Sequence, residues 1–474
     1  MSIFVYPTGL LKMKDKFYIV LLLVSCLYTV TATAQAKKWT LQECVDYALK
    51  NNISVRQSEL DLKTTAIAKT DAIGAFLPSA NVTGSHTWNV GLNINPLTNL
   101  LQQQTLQYSN AGLSAQFDIY KGLQNQMNYR RARMAIVAGQ YQLQKMKDDT
   151  ALNVANAFLQ ILFNKENLKV QTQQQAIDEQ QLERSGQLVE GGQIPKGDLL
   201  DIEATIASDK QKVIAAENQL LLSKLSLAQL LQLEDFATFD IADEEYTSEQ
   251  SEVLIQTPDA IFNKAKGIRT EIKLALANLD LAKQDIKIAR GAYQPTLRGF
   301  YSLNTRISYA DNVTYVTPEG GGSPVPVISS QPSFWNQFVD NRGHSFGFQL
   351  SIPIINGFQV RNNVQRAKVA LERSKLAYEQ QEVDLKRNVY TAFTDAQGAL
   401  RAYEAALSAA NARKGALEYA TERYGVGLIN VFDLNQAQTL SVNAQSEVLR
   451  TKYDFIFRVK ILEFYFGIPL YQKQ

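Results

Sequence analysis

Histidine and cysteine are almost absent from this 474-residue chain, which has two of each. His86 and His344 stand far apart, and the two thiols are Cys26 and Cys44. So few soft ligands argue against a zinc or haem centre, and no cofactor is expected. Net charge is nearly absent too, since 48 Lys and Arg face 46 Asp and Glu. Without a polybasic arm, nucleic acid is not an expected partner. The chain has no recognisable nucleophile–base pair or phosphate loop, so it does not read as an enzyme. Gly425-Val426-Gly427 lacks the third glycine of a dinucleotide loop, and no strand precedes it. Proline is missing from 122–194 and from 358–468. Nothing in those stretches interrupts a helix.

One apolar run is prominent, from Phe17 to Leu27. Lysines precede it, from Met13 onward, and Ala34-Gln35-Ala36 follows it. It is short for a membrane span and reads as a signal peptide over 1–36, cleaved before Lys37. Leu23-Val24-Ser25-Cys26 is the alternative processing site, a lipobox that would leave a lipid anchor on Cys26. The A-x-A site is the better match. Removing the signal leaves Cys44 without a disulfide partner.

The remaining chain is written twice. Gly192, Asp198 and Leu199 recur as Gly427, Asp433 and Leu434, 235 positions later. The same offset carries Gly122 to Gly357 and Ala157-Phe158 to Ala392-Phe393. Upstream, "AFLPS" (75–79) recurs as "AYQPT" (292–296), only 217 positions later. The difference, 235 − 217 = 18, is an insertion in the second copy, at the Gly/Pro/Ser-rich stretch 310–338, read as a loop. Residues 37–255 and 256–474 are the two structural repeats. Each predicts a helix (41–75 and 259–292), two strands, a very long helix (122 to about 186, and 357 to about 424), a glycine turn and a returning helix (198–233 and 433–465). Some 65 helical residues extend ~100 Å, too long for a compact globule. Their apolar spacing fits side-by-side coiled-coil packing, which by itself also fits a scaffold.

The strands decide between these readings. They are placed at ~80–94, ~107–121, ~296–309 and ~343–356. In "HSFGFQLSIPI" (344–354), Phe346, Phe348, Leu350 and Ile352 share one face, and Ser345, Gly347, Gln349 and Ser351 the other. The other three alternate likewise, with Arg298 and Arg306 on a polar face. A soluble sandwich alternates equally well. Four strands are too few for one, and arginines suit a water-filled lumen. Phe346, Phe348, Leu350 and Ile352 are therefore the candidate lipid-facing residues. Four strands cannot close a barrel, so each protomer must supply a quarter, a third or half of the wall. The expected class is an α+β membrane protein, a long α-helical barrel continuous with a transmembrane β-barrel.

With this order of elements, with "WTLQECVDYALKNN" (39–52) and with "ERYGVGLINVFDLNQAQ" (422–438), the chain resembles the TolC-like outer-membrane efflux proteins over essentially its whole mature length. The resemblance implies a homotrimer, four strands per protomer, in outer-membrane lipid, with a periplasmic tunnel. It also implies partners, a periplasmic adaptor and an inner-membrane pump, and passive export of small molecules or proteins. Val426, Gly427 and Leu428 match the family's adaptor-docking turn, and Gly191 and Gly192 form the less apolar equivalent in the first copy. Tyr424, Asp433 and Asp198 become gate residues, although either aspartate also reads as a helix N-cap. Ile429 stands where the best-known member has an arginine that helps lock the tip, and Gln436 replaces a second aspartate. The rival reading is a periplasmic coiled-coil scaffold or adhesin without a pore.

Overall fold

The computed structural model describes residues 38–94, 101–192, 194–234, 239–243, 251–309, 312–330 and 332–468. The signal peptide and the lipobox at Cys26 lie outside the described residues. The elements run β1 (Lys38–Trp39), α1 (Leu41–Asn51), α2 (Ile53–Gly74), β2 (Ser79–Ile94), β3 (Leu101–Lys121), α3 (Gln124–Glu190), α4 (Lys196–Leu231) and β4 (Asp240–Ile241). The second half continues with α5 (Pro258–Ile268), α6 (Thr270–Gly291), β5 (Thr296–Ser308), β6 (Asn312–Val316), β7 (Val325–Ser329), α7 (Phe334–Asp340), β8 (Gly343–Ser351), α8 (Gln359–Gly425) and α9 (Val431–Phe466). Helices α3 and α8 have 67 residues each, α4 and α9 have 36, α2 and α6 have 22, and α1 and α5 have 11. Among the described residues no helix is long and apolar enough to cross a membrane.

The single helices expected over 41–75 and 259–292 are each two helices. Asn52 (φ −59°, ψ 130°) ends α1 and caps α2, its side chain accepting from Ser54 N at 2.9 Å and donating to Leu230 O at 3.0 Å. The matching Arg269 (φ −66°, ψ 134°) is 7% exposed. Its guanidinium lies 3.7 Å from the Phe464 ring centroid and donates to Glu271 at 3.1 Å. Each break also has a tertiary partner, Leu230 O for Asn52 and the Phe464 ring for Arg269, which helical propensity does not register.

The breaks turn α1 and α5 inward onto the long helices. Leu41, Val45 and Ala48 of α1 meet Phe158 and Ile161 of α3 and Leu227 and Leu231 of α4. Ile261 and Ala265 of α5 meet Leu385 and Val389 of α8 and Phe455, Val459 and Leu462 of α9. Burial of each large side chain contributes ~1.5–3 kcal/mol. Strand β1 pairs in parallel with β4, which fixes the start of the described chain beside the end of the first copy.

The four long strands form one antiparallel sheet in the order β2-β3-β5-β8. Leu113 of β3 stands opposite Val82 and Leu303, and Leu350 opposite Leu297, so the apolar residues share one face. Strand β3 bulges between Asp118 and Tyr120. Strand β8 ends at Ser351, opposite the first residue of β5, and Pro353 has no N–H to carry the ladder on. Ile352, expected on the lipid-facing strand, therefore lies just past it, whereas Phe346, Phe348 and Leu350 are in β8 and exposed. The 310–338 insertion is not a plain loop, since it holds the β6–β7 hairpin and most of α7. Helix α7 caps the upper part of β5: Gln337 bonds both Ser308 N and Ser308 O, and Asn341 donates to Arg306 O. Ile307 of β5 is buried there.

Removing one partner of a buried charge pair costs ~3–5 kcal/mol. Arg269→Ala, which leaves Glu271 uncompensated, is expected to lower thermal stability by that order. Circular dichroism melting in detergent reads the change, and a melt like the wild type would show that the α5–α6 break is held elsewhere.

Candidate functional site

The helical tip consists of two turns. In the second copy, Gly427 (φ +75°) closes α8 by donating to Tyr424 O at 2.9 Å, and Leu428 donates to Arg423 O at 2.9 Å. In the first, Gly192 (φ +68°) donates to Val189 O at 3.0 Å. A left-handed residue at a helix C-terminus is the glycine-requiring geometry. Gly191 and the apolar Val426 and Leu428 are exposed beside these turns, as is Phe432 at the start of α9.

Neither aspartate is an N-cap. Asn430 caps α9, its side chain accepting from Asp433 N at 2.8 Å, and Pro195 stands at the cap of α4. Asp433 and Asp198 each occupy the third helical position, where the helix dipole favours negative charge. Asp433 is exposed and Asp198 half-buried. Tyr424 packs with Val431, Ile202, Ile206 and Leu182, which joins the two turns. Its hydroxyl is buried without a hydrogen-bond partner among the described residues, so it makes no bond to Asp198 across the helix pairs. Asn435 donates to Thr205 at 3.1 Å across the same contact.

Further up, α3 and α4 bury two carboxyls, Asp178 at 2% and Asp209 at 4% exposure. Gln174 donates to Asp178 Oδ2 at 2.8 Å and Lys212 to Asp209 Oδ1 at 2.8 Å. Asp209 Oδ2 has no other donor. Burial, together with the hydrogen bond to Asp209, pushes Asp178 up to about 7. When protonated, Asp178 is a donor that can serve Asp209.

On the sheet's polar face, Arg298 donates to Asp118 at 2.9 Å and Arg306 lies 4.3 Å from the Tyr108 ring centroid. Thr83, Ser85, Asn110, Asn304, Arg306 and Asn341 border a cavity of about 480 Å³. On the opposite face Val82 and Phe346 are each 80% exposed and Phe348 75%. His86 lies on this face, 2.8 Å from Ser109 and edge-on to Trp88.

Long paired helices, two glycine turns and a two-faced open sheet describe a conduit wall. The family model for outer membrane efflux proteins matches residues 44–232 and 261–465, and the chain belongs to that family. It is thus an efflux protein of the outer membrane and not an enzyme. Outer membrane protein TolC of Vibrio cholerae serotype O1 is 24% identical over 400 residues, 83% of this chain and 82% of that protein. Outer membrane protein TolC of Salmonella enteritidis is 20% identical over 438 residues, 90% of this chain and 82% of that protein. The fold matches the Campylobacter jejuni CmeC outer membrane channel with a TM-score of 0.74 at 16% identity, covering 91% of this chain and 87% of that one. It also matches the outer membrane protein VceC of Vibrio cholerae with a TM-score of 0.71 at 15% identity, covering 91% and 96%.

Sequence reading missed Asn430, Phe432 and the Asp178–Asp209 pair. An Asn three residues before Asp433 is a legible capping signal. The carboxyl pair gave no signal, because its members come from different helices.

Between pH 3.8, the ordinary aspartate value, and about 7, the folded chain keeps a proton on Asp178 that the unfolded chain has lost. The pair's contribution to stability therefore falls as pH rises through that window. Asp178→Asn is expected to flatten the fall. Melting temperatures of both proteins at pH 5 and pH 8 provide the check, and an unchanged pH dependence would count against a shared proton.

Proposed function

We propose that the chain is the outer-membrane conduit of a tripartite export assembly and works as a homotrimer. Three copies supply twelve strands to one barrel, and their long helices form the periplasmic tunnel. The observation that carries this reading is the sheet itself. Among the described residues strands β2 and β8 each have one neighbour, and Val82, Phe346 and Phe348 on the apolar face are exposed. Unpaired strand edges cannot be left in hydrocarbon, so copies must pair edge to edge. A scaffold or adhesin without a pore has no use for such a face.

The helices support self-association. Within the chain, α3 and α6 form a seam in which Thr270 donates to Asp148 at 3.1 Å. The counterparts of these residues are Ile53 and Val383. They belong to two heptad stripes, Ile53, Leu60 and Ile67 on α2 and Val369, Leu376 and Val383 on α8, all more than half exposed. Stripes at seven-residue spacing are coiled-coil surfaces.

In this reading Val426, Gly427, Leu428 and Phe432 receive a hairpin of the adaptor, and Gly191 and Gly192 form a more polar second site. The adaptor joins the tip to an inner-membrane pump. Asp433 and Asp198 become rings around the narrowed tip, with Tyr424 bracing the turns behind them. Small molecules or proteins then pass outward without chemistry.

Leu350→Arg places a charge against lipid at ~2–4 kcal/mol per copy near the midplane and is expected to block assembly, whereas Gln349→Arg faces the lumen and is tolerated. Native gels of outer-membrane extracts compare the two, and equal trimer yields would refute the barrel assignment. Asn has no charge, so Asp433→Asn is expected to weaken cation selectivity and block by trivalent cations in planar bilayers. Unchanged selectivity would remove Asp433 from the gate.

A further inference from the structure

The four long strands carry four charged side chains, and three of them are cations: Lys121, Arg298 and Arg306, against Asp118 alone. Asp118 is already paired, since it accepts from Arg298 at 2.9 Å and lies 3.1 Å from Lys121. Arg306 stands eight residues further along β5, ~26 Å at the strand rise and out of reach of that carboxylate. Among the described residues its guanidinium meets an aromatic face and no carboxylate, lying 4.3 Å from the Tyr108 ring centroid. Tyr108 is fixed from its other side, where Asn89 donates to its hydroxyl at 3.2 Å. The repeat offset of 217 makes Asn89 the counterpart of Arg306, so the second copy holds a cation where the first holds an amide. The backbone beneath Arg306 is held from outside the sheet. Asn341 donates to its carbonyl at 2.6 Å, and the flanking Thr305 and Ile307 are buried under α7.

The Arg306 side chain borders the cavity of about 480 Å³ on the polar face. Gly112 leaves the floor of that cavity open, since a β-carbon there would come within 2.8 Å of Asn304 Oδ1 and 3.3 Å of Thr83 Oγ1. Asn110 and Asn304 donate to Ser85 at 3.5 Å and Ser302 at 2.7 Å, and each amide has a second N–H. None of the described residues bordering the cavity is acidic. A guanidinium has donors only, is weakly hydrated, and offers two parallel N–H groups to the two oxygens of one oxyanion. Resting on Tyr108, it loses less freedom when an anion arrives. We propose that this cavity is a binding site for an anionic solute, which it takes by a carboxylate or phosphate group, with Arg306 supplying the charge and Asn110 and Asn304 the neutral donors. The cavity's place in a lumen rests on the channel reading above, and the site adds to that reading the class of solute the barrel retains. A single guanidinium in an open cavity holds an anion loosely enough for it to leave, as conduction requires.

Citrate and inorganic pyrophosphate are the probes, and isothermal titration calorimetry of the full chain in detergent reads the site directly. At least one probe is expected to bind saturably, Arg306→Gln to weaken it at least roughly tenfold, and Arg306→Lys to weaken it less. Arg306 is exposed, so both variants are expected to keep the wild-type circular dichroism. If neither probe binds, or if Arg306→Gln binds as the wild type does, the site is overturned and the channel reading stands. Planar bilayers then test the placement. The bound probe is expected to reduce conductance at a lower concentration from the barrel side than from the tip side, and Arg306→Gln to abolish that difference. A probe that binds in calorimetry and leaves the conductance of an open pore unchanged overturns the lumenal placement. A chain that forms no pore overturns the channel reading, while calorimetry still decides the site.

Discussion

Every backbone N–H and C=O in hydrocarbon needs a partner, because no water is there to serve as one. The other features follow from that constraint. The described sheet of four strands with an apolar face has two edges it cannot expose to lipid, which is why the proposed channel makes the chain one part of a closed wall. Chain connectivity then requires each strand to continue into a helix outside the membrane. Those helices are the walls of a tube, and their glycine turns are its far end.

Internal duplication makes this economical in sequence. A chain built from two copies already contains one copy-to-copy seam, and the proposed trimer would form its other seams under the same geometric demands. The in-chain seam uses Asp148 with Thr270 and Arg131 with Asp285. The matching outer positions carry Val383, Ile53 and Ala68 in place of three of these. Ion pairs within the chain form as it folds, whereas apolar stripes give association between copies an undirected attraction.

Much of this architecture was legible because it is periodic. Offsets of 235 and 217 located both copies, and two-residue alternation placed the four strands and their faces. Phe346, Phe348 and Leu350 were readable from that alternation, and Gly192 and Gly427 from the repeat. What was not legible depends on single long-range partners. At the α5–α6 break Arg269 stacks on Phe464, nearly 200 residues away in sequence. Ile352 was assigned to a strand because periodicity takes no account of where the partner strand begins. The burial of Ile307 was not legible either, because nothing in a Gly/Pro/Ser-rich stretch announces α7 folding back over β5. Asp433 was taken as a cap or a gate residue, and the structure gives the capping to Asn430.

The long helices are also levers. The cluster around Phe158 grips α3 with α1 and α4, and the helix then continues to Glu190. Paired with α4, the stretch from Phe158 to that end is some 30 residues, ~50 Å at the helical rise. One degree of tilt about the grip displaces the far end by almost ~1 Å over such an arm. In the proposed channel, a change of aperture at the tip would therefore require only a slight rearrangement at the grip.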